Sequence, residues 1–261
     1  MATACGNLGN CYEITGDYGR ARELHEQRRA MAEALGDRAG VATACGNLGS
    51  CYLSTGDYGR AISYFMQKYD MAKELKVGKD QAAAALGVGV ALRLEVCAKV
   101  RGRAAGASEL PEPHASASAR SDDGVREAEQ WLQTALDMGH TTARLHLAHL
   151  AFDTGPEDTA LAHLQDYLSW CVERGRNWCA GCYQTRGEDA QMLTCGGCRV
   201  ARFCSADHQK MASKSVASGG SLLFGRHKDM CGVLGKWRQQ VVKDGMSPDV
   251  LRADLLAFLR Q

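Results

Sequence analysis

Along the start of the chain, small and apolar side chains recur in steps of three and four. Ala4, Leu8, Cys11 and Tyr12 make one such stripe, broken at Gly16-Asp17. A second stretch runs from about Tyr18 to Leu35 and stops at Gly36-Asp37. Such steps place side chains on one face of a helix, and a Gly-Asp pair punctuates it. The pattern then repeats. ATACGNLG stands at 2–9 and again at 42–49, and TGDYGRA at 15–21 and 55–61, both phrases returning at the same offset. A fixed period of this size predicts stacked helix pairs, each burying its apolar face against its neighbours. Small Gly9 and Gly49 predict close packing of the two helices within a pair.

The matching positions are Leu8, Gly9, Tyr12 and Ala21, then Leu48, Gly49, Tyr52 and Ala61. They resemble the tetratricopeptide repeat. The phrases NLGNCY and NLGSCY look like its forty-residue variant in cell-polarity scaffolds and kinesin light chains. A degenerate third unit has Val88, Gly89 and Leu92 in its first helix, its second helix being displaced to 125–138. A fourth fits Leu147, Ala148, Ala151, Gly155 and Ala160, so the array is expected over residues 1–174. Between the helices of the third unit, residues 99–123 are rich in Ala, Ser, Gly and Arg, with Pro111 and Pro113; they read as a loop insertion. The front face of Ala4, Leu8 and Cys11 lacks the polar cap a solenoid end needs. Either the array pairs with another chain or the sequence is a fragment.

The resemblance implies an all-α solenoid whose concave face holds a partner peptide. Asn7 and Asn47 match the family's groove asparagine, with His146 at that place in the fourth unit and Gly87 in the third. Asn10 and Ser50, one turn on, would extend the face. The alternative is that Asn7 and Asn47 only satisfy hydrogen bonds between helices. The array shows no basic pair of the kind that clamps a terminal carboxylate, which argues against a co-chaperone.

The last third changes the picture. Cys179, Cys182, Cys195, Cys198, Cys204, His208, His227 and Cys231 read C-x2-C-x12-C-x2-C-x5-C-x3-H-x18-H-x3-C. Eight such ligands fill two tetrahedral Zn²⁺ sites and leave no open position, which points to structural metal. Residues 177–233 hold few large apolar side chains, so the metal must supply much of the folding free energy, on the order of 10 kcal/mol or more. CGGCRVARFCSADHQK at 195–210 and GRHKDMC at 225–231 resemble the MYND-type zinc finger. That resemblance implies interleaved sites, one ion on Cys179, Cys182, Cys204 and His208 and the other on Cys195, Cys198, His227 and Cys231. His208 stands where the family more often has Cys, and the stretch between His208 and His227 is about twice the usual length. Gln209 matches a residue of the family's peptide groove, but Met211-Ala212-Ser213 lack the Trp that accompanies it. RING fingers also interleave two ions, but end on a Cys pair at closer spacing. The tail, 234–261, predicts two short helices, one marked by Trp237, Val241 and Val242. Ser247 and Pro248 are N-cap and N1 of the second, whose wide apolar set docks on the finger or binds a partner.

Composition narrows the classes. Hydrophobic residues make 45% of the chain and charged ones 23%, as in ordinary globular proteins. Residues 176–244 carry 11 Lys/Arg against 5 Asp/Glu, the rest 20 against 25. That asymmetry favours an acidic partner without being a nucleic-acid footprint. Of the twelve cysteines, six lie outside the zinc pattern. Four of those recur in matching repeat positions and read as small buried side chains. With no secretory segment and no apolar run of spanning length, a reducing compartment is expected, cytosol or nucleus. No phosphate loop, nucleophile elbow or HExxH motif occurs. His25, His140, His149 and His163 are expected in helices and His114 in the loop, and none has a Cys or acid partner at metal or catalytic spacing. The sequence therefore predicts a non-enzymatic, zinc-binding protein-interaction adaptor, with two Zn²⁺ per chain, peptide partners, and no membrane or small-molecule substrate. The alternative is a transcriptional or chromatin cofactor whose basic finger meets an acidic partner or nucleic acid. A third possibility is a ligase or a methyltransferase fragment.

Overall fold

The computed structural model describes residues 2–106, 117–173, 191, 193–195, 200–203 and 227–260. Met1–Thr154 forms one compact unit, and the described residues from Gly155 onward belong to a second.

The first unit is a run of antiparallel helices: α1 (Ala2–Thr15), α2 (Tyr18–Ala34), α3 (Arg38–Ser54), α4 (Tyr58–Glu74), α5 (Gly78–Gly106), α6 (Ala117–Asp137) and α7 (Ala143–Thr154). Each helix from α1 to α7 packs on the next, and α1 also meets α3, α3 meets α5, and α5 meets α7. These are consecutive helical hairpins, as the period requires. The TGD phrase builds each turn. Gly16 and Gly56 take positive φ, 84° and 79°, a conformation glycine adopts without steric cost. Asp17, Asp37 and Asp57 cap the following helices, their side chains accepting from the backbone N–H of Arg20, Gly40 and Arg60.

Glycine also sets helix spacing. A Cβ at Gly49 would lie 2.9 Å from the Phe65 ring, and one at Gly9 would lie 2.5 Å from His25 Cε1. The repeated glycines thus let α1 and α3 approach α2 and α4 through a ring. Within the second pair, the Tyr52 and Tyr64 rings stack at 5.5 Å, and Tyr52 carries the guanidinium groups of Arg60 from its own pair and Arg22 from the first.

Three expectations change. Helix α5 continues to Gly106 and α6 begins at Ala117, so helix occupies both ends of the segment expected as a loop over 99–123. The physical reason is that Ala and Arg are strong helix formers, which the loop reading overlooks; residues 107–116 lie outside the described set. His140 sits in the turn between α6 and α7 rather than in a helix. The matched cysteines do not all share one environment: Cys45 and Cys51 are buried, whereas Cys11 is exposed. Leu8 is 49% exposed, while its counterpart Leu48 on α3 is buried. The same sequence is core only where a preceding hairpin covers it.

The second unit contains α8 (Glu157–Glu173) and a two-stranded antiparallel ribbon, β1 (Leu193–Thr194) and β2 (Arg202–Phe203). After the ribbon come α9 (His227–Lys236), a π-helical turn (Trp237–Lys243), a 3-10 turn (Pro248–Leu251) and α10 (Arg252–Leu259). The ribbon pairs Leu193 with Phe203 and Thr194 with Arg202. Ser247 caps the 3-10 turn with Pro248 at its first position, as the sequence predicts. Helix α10 buries Leu255, Phe258 and Leu259 and packs against both α8 and α9. Arg252 bonds Asp158 at 2.8 Å and pairs with Glu157 at the start of α8. Among the described residues, no helix is long and apolar enough to cross a membrane.

Candidate functional site

Two places gather the residues that the sequence singles out. One is the polar edge shared by α1 and α3. Asn7 and Asn10 are exposed on α1, and Asn47 and Ser50 are half-buried on α3. Asn47 Nδ2 donates to Asn10 Oδ1 at 3.2 Å and lies 3.4 Å from His25 Nδ1. Ser50 Oγ donates to its own helix at Gly46 O. Asn10 and Asn47 therefore join adjacent hairpins, and Asn7 stays on the surface. His146, expected on the same face, is 3% exposed, because α7 turns that side into the helix interface.

Cations also line the array one period apart, a feature the sequence reading does not anticipate. A Cβ at Gly6 would run into Arg28, and one at Gly46 would lie 3.1 Å from Lys68 Nζ. Glycine lets both long side chains lie flat across the preceding helix. Burial holds the Lys68 ammonium below its ordinary pKa, with Asp80 opposing that shift. Beyond it, burial pushes the His140 imidazole down to about 4, and the Lys68 charge adds to the effect.

Behind the asparagines lies a second group. His25 Nε2 is 3.0 Å from Glu13 Oε1, and Cys51 Sγ donates to the same oxygen at 3.0 Å. Burial raises the Cys51 thiol well above its ordinary value, and the Glu13 charge raises it further. The expectation that His25 lacks a Cys or acid partner is corrected here. Its partners stand on two other helices, far enough along the chain that sequence spacing gives no hint of them.

The other place is in the second unit. The ribbon carries Cys195 at its end, and the Cys195 N–H donates to Ala201 O at 2.9 Å. Helix α9 starts at His227 and presents Cys231 one turn later. Cys195 Sγ and Cys231 Sγ lie 3.7 Å apart. That is too long for a disulfide, whose S–S bond is about 2.05 Å. It matches two thiolates on one tetrahedral Zn²⁺, which at about 2.3 Å per bond stand roughly 3.8 Å apart. Of the implied donors, these two thiols stand at a separation that suits one such ion. Cys179, Cys182, Cys198, Cys204, His208 and Gln209 lie outside the described residues, as does the side chain of His227.

The hairpin stack defines a helical-repeat protein. The family model of the tetratricopeptide repeat matches residues 1–74. That stretch is the first two hairpins, α1 to α4. No curated protein matches the chain. Repeats of this kind generally mediate protein–protein contacts.

Proposed function

We propose that this chain is a protein-interaction adaptor in which the repeat array grips one partner peptide. A two-zinc MYND-like finger at residues 177–233 presents a second surface. The observation that carries the reading is the tetratricopeptide match over α1–α4, whose polar edge offers Asn7, Asn10, Asn47 and Ser50 to an extended backbone. The 3.7 Å approach of Cys195 and Cys231 supports the finger, because it places two of the four implied ligands of one ion at zinc spacing. In this reading Cys179, Cys182, Cys204 and His208 hold the first ion and Cys198 and His227 complete the second. The metal acts as a staple. It orders a stretch poor in apolar side chains and takes no part in chemistry.

Peptide display against the full chain tests the array. Selected peptides should lose at least tenfold in affinity when Asn7 and Ser50 are replaced by Arg, and hold their affinity when the opposite-face Arg20 is replaced by Ala. Equal binding to all three proteins would remove the groove reading. Native mass spectrometry tests the finger: Cys231→Ser should carry one Zn²⁺ fewer than the parent chain, and an unchanged count would remove it.

A further inference from the structure

We propose that Glu13, His25 and Cys51 form a divalent-metal site, suited to Zn²⁺, inside the junction of the first two hairpins. It is separate from the finger and does not rest on it. Three helices each supply one ligand: α1 gives a carboxylate, α2 an imidazole and α3 a thiol. The ligand atoms all lie within 4.8 Å of one another. Glu13 Oε1 stands 3.0 Å from both His25 Nε2 and Cys51 Sγ. The His25 side chain is 0% exposed and that of Glu13 14%; Cys51 is fully buried.

The repeat provides its own control. One period on, the positions of Glu13, His25 and Cys51 are held by Leu53, Phe65 and Ala91, exposed by 2%, 3% and 0%. His25 packs on Gly9 and meets Asn47; Phe65 packs on Gly49 and Gly87, the same two places. The second junction therefore closes with apolar side chains alone, so the fold needs no polar group there. At the first junction all three positions change together, and all three become metal-ligand types. A carboxylate, a histidine and a thiol buried together cost desolvation that an ion would offset.

The ligand chemistry selects the ion. One oxygen, one nitrogen and one sulfur suit a borderline cation such as Zn²⁺ rather than Mg²⁺ or Ca²⁺. Three protein ligands leave a fourth position for water, on the side where Glu13 is open. Asn47 is a positioning residue. Its amide oxygen and nitrogen are interchangeable by rotation. Turned together with Asn10, whose amide N–H then donates to it, its Oδ1 accepts the His25 Nδ1–H and leaves Nε2 free to ligate. On binding, the Cys51 proton passes to solvent and the imidazole proton moves from Nε2 to Nδ1.

The test uses the full chain. The triple variant Glu13→Leu, His25→Phe and Cys51→Ala copies the second junction and should fold. Native mass spectrometry with Zn²⁺ should find one ion fewer on it than on the parent, in addition to any ion lost in Cys231→Ser. His25→Phe alone is the second variant, Phe being the ring that the equivalent cleft already holds; it should lose the same ion. In the Co²⁺-loaded parent, azide should shift the visible d–d bands through the open position. In either variant that response should vanish. Asn47→Ala should weaken the site on the order of 10- to 100-fold. Equal ion counts in parent and both variants, or an azide response that survives them, would overturn the proposal.

Discussion

His25 and Phe65 fill the same cleft one repeat apart, each pressed between a glycine of its own hairpin and a residue of the next. The ring is required by the fold, whereas its chemistry is free to vary. The spacing of the hairpin depends on the glycine beneath it. Gly49→Ala should therefore cost about 1–3 kcal/mol, since its Cβ would sit 2.9 Å from the Phe65 ring in a packed core. Gly59→Ala is the control. It lies in α4 with nothing within 4 Å, so it should be neutral or stabilising by up to about 1 kcal/mol. Urea unfolding of the two variants measures the difference.

The turn after α4 departs from its counterpart. Gly36 closes α2 at φ 68°, and at the matching place Lys76 adopts φ 56°. A lysine in the left-handed region carries a steric cost that glycine escapes. Lys76→Gly should raise stability by about 0.5–1 kcal/mol, and Gly36→Ala should lower it by about 1 kcal/mol. Thermal melts of both variants test the pair, and destabilisation by Lys76→Gly would contradict the conformational argument.

The repeat is legible in the sequence because it is local. Leu48 and Gly49 lie in one helix, and the TGD turns use only neighbouring residues, so period and punctuation are enough to read four helices. What lies beyond reach is non-local. The Glu13–His25–Cys51 cluster joins three helices, and only a comparison across the period, Glu13 against Leu53 and His25 against Phe65, exposes it. Matching a repeat position puts His146 on the groove face, but burial follows the packing of α7, which the match does not contain. Composition reads residues 99–106 as loop, although Ala and Arg there favour helix. The approach of Cys195 to Cys231 agrees with the ligand pattern because a ribbon end and a helix start, 36 residues apart, are brought to one point.

In the second unit, α10 is the clamp. Leu255 is fully buried where that helix meets α8 and α9. Leu255→Ala should cost about 2–5 kcal/mol of local stability through the cavity it leaves. Hydrogen exchange should speed up in α8, α9 and α10 and stay unchanged in α1–α4. Equal protection in all of them would mean that α10 contributes little to holding this unit together.

His140 gives the array a pH dependence of defined sign. Burial holds its pKa at about 4, with the Lys68 charge acting in the same direction, whereas an unfolded chain returns it to about 6.5. Between these values the unfolded chain binds a proton that the folded one does not. The contribution is fully present above about pH 6.5 and is lost as pH falls toward 4, amounting to on the order of 1–3 kcal/mol. Nδ1 lies 2.9 Å from Thr142 Oγ1, so His140→Asn should keep a polar partner for that hydroxyl while removing the titration. Urea midpoints followed by Trp131 fluorescence at pH 7 and pH 5 should then fall less in His140→Asn than in the parent. The Tyr69 ring, 5.1 Å from Trp131 in edge contact, keeps this probe sensitive to the α4–α6 region where Lys68 lies. Parallel falls in parent and variant would show that the acid sensitivity arises at other groups.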